Sequence, residues 1–197
     1  MAHLAPADDE TVAEFGPVFQ RVKDRMGFVP NSLLTMARDP ELLRAFMGLA
    51  EAVLGPHRAL DPELAQLVAH VASAAAGCRY CQAHTGHVAE RLGTAAAKVE
   101  AVWAFESSDR FTEAERAALA LAQAAAEVPN RAGAAEFAEA RRWFGEDEVM
   151  EIVAVVAFFG FLNRWNDTLA TELEDAPRAF GEAHLADRGW EVGKHEG

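Results

Sequence analysis

The sequence predicts an all-α protein, and three observations lead to that prediction. Hydrophobic residues make up 51% of the 197 residues, and alanine, which loses least on entering a helix, is the commonest of them. Alternating runs of β-branched residues are scarce and the chain has a single tyrosine, which disfavours a sheet protein. The length predicts a single domain, 1–197, with its core over about 9–186.

Capping residues predict where several helices begin. Asp39 and Asp61 each precede a proline and a glutamate, which is typical of an N-cap followed by a first turn. Thr112 and Glu115 have the spacing of a capping box. The polar residues 189–197 are expected to be loosely held, with Trp190 as an anchor. We expect helices over 9–25, 40–54, 62–76, 79–92, 94–105, 113–127, 133–144, 147–168 and 176–186.

Two of the predicted helices are apolar almost throughout, which is typical of the centre of a helical bundle. Residues 63–72 and 148–157 agree at five of ten aligned positions. The agreement has two interpretations: an internal helical repeat, or two central helices that converged on a similar composition, since alanine-rich helices match easily.

The net charge of −13 disfavours partners that are themselves anionic. Nucleic acids and anionic membranes attract clusters of Lys and Arg, and the chain has no run of five basic residues. The first ten residues lack the apolar segment of a secretory signal. The most apolar stretch, Ile152–Leu162, is shorter than the roughly 17 residues that a membrane span requires. A cytoplasmic location is therefore expected.

The only two cysteines, Cys78 and Cys81, carry the clearest chemical signal. They follow Gly77 at the predicted start of a helix, where unpaired N–H groups and the positive end of the helix dipole stabilise a thiolate. Two cysteines three residues apart share a helix face and are close enough to form a disulfide. His84, three residues after Cys81, is a candidate proton carrier because imidazole titrates near neutrality. These three residues are the predicted catalytic group.

The two cysteines have two other possible roles. Free cysteines are often small core residues, although this spacing at a helix start, followed by a histidine, favours redox chemistry. Zinc binding by Cys78, Cys81, His84 and His87 is disfavoured because each three-residue step turns the side chain by about −60° around the axis. One helix therefore does not wrap a tetrahedral ion, and no metal or other cofactor is expected.

Further polar residues lie near this segment in the sequence. His70 is either a second proton relay facing the dithiol or, as we favour, a hydrogen-bonded core histidine. His87 is most simply a surface residue. The polar cluster Asn163–Asp167 closes an apolar helix, and it either lines a pocket or an interface or, as we favour, caps the helix and forms salt bridges.

The run from Glu63 through Cys78, Cys81 and His84 resembles the carboxymuconolactone decarboxylase-like superfamily, and within it the alkyl hydroperoxidase D-like branch. The segments 27–31, 111–116 and 159–167 resemble the peroxidase-related members, so the similarity extends from about residue 15 to 185. The resemblance implies all-α subunits in trimers or hexamers. It also implies that Cys81 attacks peroxide while Cys78 donates a proton and closes the disulfide. From the residues alone, the helix dipole favours Cys78 as the nucleophile and the nearness of His84 favours Cys81.

The sequence departs from the family at two positions. The family's glutamate twelve residues before the first cysteine is Gln66 here, which does not act as a base; His70 or Glu63 could replace it. The family's histidine lies at the position of Thr85, and His84 comes one residue earlier, still near the same helix face.

These features predict a thiol-dependent peroxidase or dithiol–disulfide oxidoreductase that reduces hydroperoxides and is regenerated by an external dithiol. Two alternatives remain open at this point. One is a lactone-acid decarboxylase of the same superfamily, which would bind an anionic substrate and would not need the dithiol. The other is a non-catalytic redox-sensing oligomer whose cysteine pair reports oxidation.

Overall fold

The computed structural model describes residues 1–197, and every regular element in it is a helix. The all-α prediction is therefore confirmed. Short 3₁₀ turns lie at Ala101–Ala104, Ala186–Arg188 and Gly193–His195. None of the helices has the length and apolar character needed to span a membrane. The α-helices are α1 Asp9–Glu14, α2 Gly16–Met26, α3 Asn31–Met36, α4 Pro40–Leu54, α5 Pro62–Ala75, α6 Arg79–Leu92, α7 Ala96–Glu100, α8 Glu113–Ala126, α9 Ala134–Ala140, α10 Glu146–Leu169 and α11 Asp175–His184.

The predicted caps are present, but the N-terminal region differs from the prediction. Asp39 and Asp61 accept hydrogen bonds from backbone N–H groups of the first turns of α4 and α5, and Thr112 forms the capping box of α8. The single helix expected over 9–25 is divided at Phe15 into α1 and α2. Pro17 lies in the first turn of α2, where its missing N–H breaks no helical hydrogen bond. The short helix α3 was not predicted.

Helix α5 lies at the centre of the fold. Its residues 64–73 are all buried, and it packs against α6, α8 and α10. An apolar surface on every side therefore has a partner to bury against, as the sequence predicted for this helix. Helix α10 packs against α4, α5, α6 and α8, and its buried Glu151 accepts a hydrogen bond of 2.8 Å from the backbone N–H of Leu60. Helix α10, by contrast, leaves Met150, Val153 and Phe161 exposed, so the expectation of a helix buried on all sides holds for α5 and not for α10.

A tight turn between α5 and α6 places the cysteines. Gly77 has a φ of +74°, a conformation that favours glycine because it has no Cβ. The N–H of Cys78 donates to the carbonyl of Ser73 over 3.1 Å, and Cys78 is the N-cap of α6. The turn thus sets Cys78 at the start of one buried helix and directly after another.

The C-terminal tail packs against this same helix start, which differs from the expectation of a loosely held segment. Trp190 is buried, and its indole N–H donates to the carbonyl of Arg79 over 3.0 Å. The ring lies over Gly181, where a Cβ would come within 2.5 Å of it. His195 is 1% exposed and hydrogen-bonds the carbonyl of Thr171 through Nδ1. The anchoring by Trp190 was expected, but the polar composition of the tail did not predict the burial of His195.

His70 joins α5 to α6 in the core. Its Nδ1 lies 3.0 Å from the carbonyl oxygen of Gln82 and 2.9 Å from the hydroxyl of Thr85, and its Nε2 is buried without a partner. The interpretation of His70 as a hydrogen-bonded core histidine is confirmed. Burial lowers its pKa to about 4, because a protonated ring would hold a charge and an unpaired N–H away from water.

This histidine makes the stability of the fold dependent on pH. Above the ordinary histidine pKa of about 6.5, His70 is neutral in both states, and its full contribution to stability is present. As the pH falls toward about 4, the unfolded chain binds the proton and the folded chain does not, which costs about 3 kcal/mol of stability in total. Urea unfolding at about pH 7.5 and pH 5 should show a loss of about 2 kcal/mol for the wild type.

The variant His70→Gln does not titrate and should lose much less stability over this pH interval, although it is less stable at the upper pH. The exposed His57→Gln is the matched control and should behave as the wild type does. Equal pH slopes for His70→Gln and the wild type would contradict the assignment.

Candidate active site

A cavity of about 180 Å³ opens between α2, α3, α4, α5, α6 and α10. Most of its lining is apolar, and its volume suits a small organic molecule. The apolar wall includes Phe46, Met47, Leu54, Phe158, Phe159 and Leu162.

Cys81 lines this cavity, and Cys78 does not. The two cysteines are not joined by a disulfide, and both are buried, with exposures of 1% for Cys78 and 2% for Cys81. The backbone N–H of Cys81 points toward the sulfur of Cys78 over 3.4 Å. A molecule in the cavity is therefore next to Cys81, while Cys78 lies outside the lining, at the start of the helix.

The surroundings of Cys81 oppose its ionisation in the resting state. Burial raises the pKa of the Cys81 thiol well above its usual value, and the neighbouring Cys78 raises it further. A hydrogen bond from the side-chain amide of Asn166 to the sulfur, 3.5 Å long, acts in the opposite direction. Because the thiolate is the reactive form, the thiol needs a base nearby to become a nucleophile.

His84 also lines the cavity, where its ring is held by a carboxylate that the sequence analysis missed. His84 Nε2 lies 2.5 Å from Glu174 Oε2, and the Tyr80 hydroxyl donates to Glu174 Oε1 over 2.9 Å. The rings of Tyr80 and His84 stack with centroids 4.2 Å apart. The backbone N–H of Asn31 also donates to this carboxylate. No hydrogen bond joins His84 to either sulfur, but Cys81 and His84 lie one turn apart on α6 and both line the cavity.

The charge of Glu174 is stabilised by these partners. Burial opposes ionisation of the carboxyl, but the electrostatic effect of His84 and the hydrogen bonds from His84 and Asn31 outweigh it, so the pKa of Glu174 lies below its usual value. The hydrogen bond from this carboxylate orients the His84 ring beside the cavity, where an imidazole can exchange a proton with a thiol.

Glu174 corrects the prediction that His70 or Glu63 takes the place of the missing glutamate. Glu63 accepts a hydrogen bond of 2.9 Å from the Thr94 hydroxyl and does not line the cavity, and His70 is neutral in the core. Gln66 does line the cavity. The sequence signal for Glu174 was weak because an acidic residue just before a helix reads as a cap, yet its carboxylate makes no capping bond to α11.

Asn166 corrects a second prediction. We favoured a capping and salt-bridge role for the cluster 163–167, but Asn166 is 1% exposed and reaches the sulfur of Cys81. Its neighbour Asp167 does form a salt bridge, to Lys194 over 2.9 Å. Thr85, at the family's histidine position, donates its hydroxyl to the carbonyl of Cys81 over 2.7 Å. His87 is half-buried between Phe28 and Phe180 rather than free on the surface.

The fold and the site together define an all-helical protein of the alkyl hydroperoxidase D-like type, with a buried Cys-x-x-Cys pair beside an apolar cavity. Residues 40–124 match the model of the carboxymuconolactone decarboxylase family. No curated protein matches the sequence significantly.

Solved structures extend the similarity over most of the chain. The debrominase Bmp8 without a ligand is 38% identical, with 90% of this chain and 95% of that chain covered and a TM-score of 0.83. A cysteine-to-alanine variant of Bmp8 in complex with 2,3,4-tribromopyrrole is 37% identical, with coverages of 91% and 95% and a TM-score of 0.85. The peroxidase-related AhpD-core protein of Ralstonia eutropha JMP134 is 24% identical, with coverages of 89% and 94% and a TM-score of 0.78.

The chain therefore belongs to the carboxymuconolactone decarboxylase family, as the resemblance implied. The AhpD-core protein shares the fold.

The carboxylate of Glu174 can be tested without knowledge of the substrate. In Glu174→Gln, the imidazole loses its charge-assisted hydrogen bond, so His84 is a weaker acceptor for the thiol proton. Alkylation of Cys81 by iodoacetamide at neutral pH, followed by mass spectrometry, should slow by about tenfold, since hydrogen bonds to charged groups contribute about 1.5–3 kcal/mol. The exposed Glu172→Gln should react at the wild-type rate. Equal alkylation rates for the two variants would show that Glu174 does not assist the deprotonation of Cys81.

Proposed function

We propose that the protein is a dithiol–disulfide oxidoreductase that transfers two electrons from Cys78 and Cys81 to a small apolar substrate, with organic hydroperoxides as the first substrate class. The observation that carries the proposal is that Cys81, whose sulfur accepts an amide hydrogen bond, is also the cysteine that lines the cavity. His84 lines the same cavity and is hydrogen-bonded to Glu174, with which it forms a proton-accepting pair.

In the first step, His84 accepts the proton of Cys81, and the thiolate attacks the distal peroxide oxygen. The O–O bond breaks, the alcohol leaves with a proton, and Cys81 becomes a sulfenic acid. The Asn166 amide stabilises the thiolate before the attack.

In the second step, Cys78 displaces hydroxide from the sulfenic acid, water leaves, and a disulfide forms between the two cysteines. The overall reaction converts one hydroperoxide and two thiols into an alcohol, water and a disulfide. An external dithiol then restores both thiols by exchange. The position of Cys78, at the helix start and one turn from Cys81, suits this resolving role.

The lining of the cavity limits the classes of substrate that would bind well. Phenylalanine, methionine and leucine side chains favour an organic hydroperoxide over hydrogen peroxide, which gains nothing from apolar surface. The lining also holds Arg25 and His84, which could bind the anionic substrate of a lactone-acid decarboxylase. That reaction has no use for the two cysteines, however, and their presence disfavours it.

Reductive dehalogenation is a second candidate, favoured by the 37–38% identity to the debrominase Bmp8 over nearly the whole chain. In that reaction the Cys81 thiolate takes bromine from a ring carbon, which accepts a proton. Cys78 then displaces bromide and the disulfide forms. One bromoarene and two thiols become an arene, hydrogen bromide and a disulfide, so the same cysteines provide the same two electrons.

Turnover assays with an external dithiol test both reactions. Cumene hydroperoxide consumption and bromide release from a tribromopyrrole are measured for the wild type, Cys78→Ser, Cys81→Ser and His84→Ala. Either cysteine change should abolish turnover, and His84→Ala should slow it by about 10²-fold, the lower range for general acid–base catalysis.

Full activity in Cys81→Ser would rule out this mechanism. The exposed His57→Ala is the control for loss of a histidine and should keep full activity. If the wild type forms the internal disulfide but turns over neither compound, the redox-sensing alternative is favoured instead.

We also propose that the protein is a homo-oligomer, as the family resemblance implies, and that a second copy covers the outer face of α10. This face carries Met150, Val153 and Phe161, which are 54%, 37% and 39% exposed. Ala157 and Gly160 lie between them and are exposed too, which leaves room for close helix packing. This exposed face carries no charged residue between 150 and 161. Two chains, each of net charge −13, would therefore bring no like charges together where these faces meet.

Light scattering coupled to size exclusion tests the assembly. The wild type should have the mass of a trimer or hexamer, and the double variant Met150→Glu, Phe161→Lys should shift toward the 21.3 kDa chain, since buried charges oppose an apolar interface. Val128→Glu changes an apolar residue that is 82% exposed outside this face and should leave the mass unchanged. A monomeric wild type would contradict the proposal.

A further inference from the structure

Gln66 is a polar side chain of the cavity that the reaction steps do not use. It is 4% exposed, it lies on the central helix α5, and it lines the same cavity as Cys81. It also lines a smaller adjoining chamber of about 40 Å³. Gln66 therefore stands where the two spaces meet, on a helix that is buried along this stretch.

Four of the other buried polar side chains around the cavity are already bonded within the protein, whereas the buried Ser32, like Gln66, lines the cavity. Tyr80 and His84 bind Glu174, Thr85 binds the carbonyl of Cys81, and Asn166 donates to the sulfur of Cys81. The side-chain amide of Gln66 makes no hydrogen bond to the protein. Some polar side-chain atoms of the protein, among them Oδ1 of Asn166, are fully buried and have no hydrogen-bond partner. The amide atoms of Gln66 are not among these fully buried atoms. The amide opens into the cavity instead.

A buried amide that opens into a cavity is suited to hydrogen-bond a bound molecule. Buried polar groups in folded proteins are almost always paired, and an amide has both an acceptor and a donor. A side-chain amide acts neither as a general acid nor as a general base near neutral pH. The role of Gln66 is therefore to orient the substrate. His70 lies one turn after Gln66 on α5. Its ring is hydrogen-bonded to α6 and so holds this part of α5 in place.

We infer that Gln66 determines which substrates bind productively: its carbonyl oxygen accepts a hydrogen bond from a single N–H or O–H group on an otherwise apolar molecule. This inference rests on the proposed function, whose two substrate classes each have one such donor, the O–H of a hydroperoxide and the N–H of a pyrrole. The apolar wall binds the body of the molecule, and Gln66 sets the orientation in which the reacting atom faces Cys81. Gln66 is thus a positioning residue.

Binding measurements separate this inference from the chemistry. The affinity of 2,3,4-tribromopyrrole and of its N-methyl derivative is measured by calorimetry in the full-length Cys81→Ala protein, with and without Gln66→Leu. The pyrrole with a free N–H should bind Gln66→Leu about threefold to tenfold more weakly, the range for one hydrogen bond. The N-methyl derivative should bind both proteins equally, because it has no donor to lose.

Gln82→Leu is the matched control. Gln82 is also buried, at 6% exposure, but it does not line the cavity, so both affinities should stay unchanged. If Gln66→Leu is poorly folded, Gln66→Met, which keeps a long unbranched side chain, replaces it with the same expectation.

Equal losses for the two pyrroles in Gln66→Leu, no loss for either, or no binding to the parent protein would each overturn the inference. The proposed function fails separately if the wild-type protein turns over no substrate although Gln66→Leu still weakens the binding of the unmethylated pyrrole alone. The two failures are therefore distinguishable.

Discussion

The contact between α5 and α6 is the constraint on which the rest of the structure depends. The two helices meet at a turn that requires a positive φ at Gly77, and the N–H of Cys78 is bonded to the end of α5. His70 ties the middle of α5 to the carbonyl of Gln82 one turn after Cys78. Because both helices are buried, the two sulfurs are held by a backbone that has little freedom to move. The dithiol is therefore positioned before any substrate binds.

The site combines two opposing environments. Burial makes the cavity favourable for an apolar molecule, but it also raises the pKa of the Cys81 thiol and so keeps it unreactive at rest. The amide of Asn166 and the pair of His84 with Glu174 oppose that effect at specific points. Such an arrangement keeps the cysteine protonated and stable in an empty site. It allows the thiolate to form where a substrate and a proton acceptor meet.

Relatives that share this fold are named for different activities. The chain is similar to a debrominase over nearly its whole length and shares its fold with peroxidase-related proteins. In either of the two proposed reactions two thiols would become one disulfide, so the cysteine pair and its helix would not distinguish the substrates. The distinction belongs to the cavity wall, formed by α4 and α10 with their aromatic side chains and by α5 with Gln66. Function within this fold therefore follows from the lining more than from the nucleophile.

The sequence by itself determined the helical class, most helix starts, and the dithiol with His84, because these depend on neighbours within a few residues: caps, helix periodicity and the Cys-x-x-Cys spacing. The tertiary structure alone decided that Glu174 binds His84, that Asn166 bonds the sulfur of Cys81, and that the expected anchor Trp190 binds the carbonyl of Arg79 at the start of α6. Each of these contacts joins residues more than 80 positions apart. A glutamate before a helix, or an asparagine near a helix end, has the same local pattern whether it caps the helix or reaches into a site. Only the packing of α10, α11 and the tail around α6 separates the two.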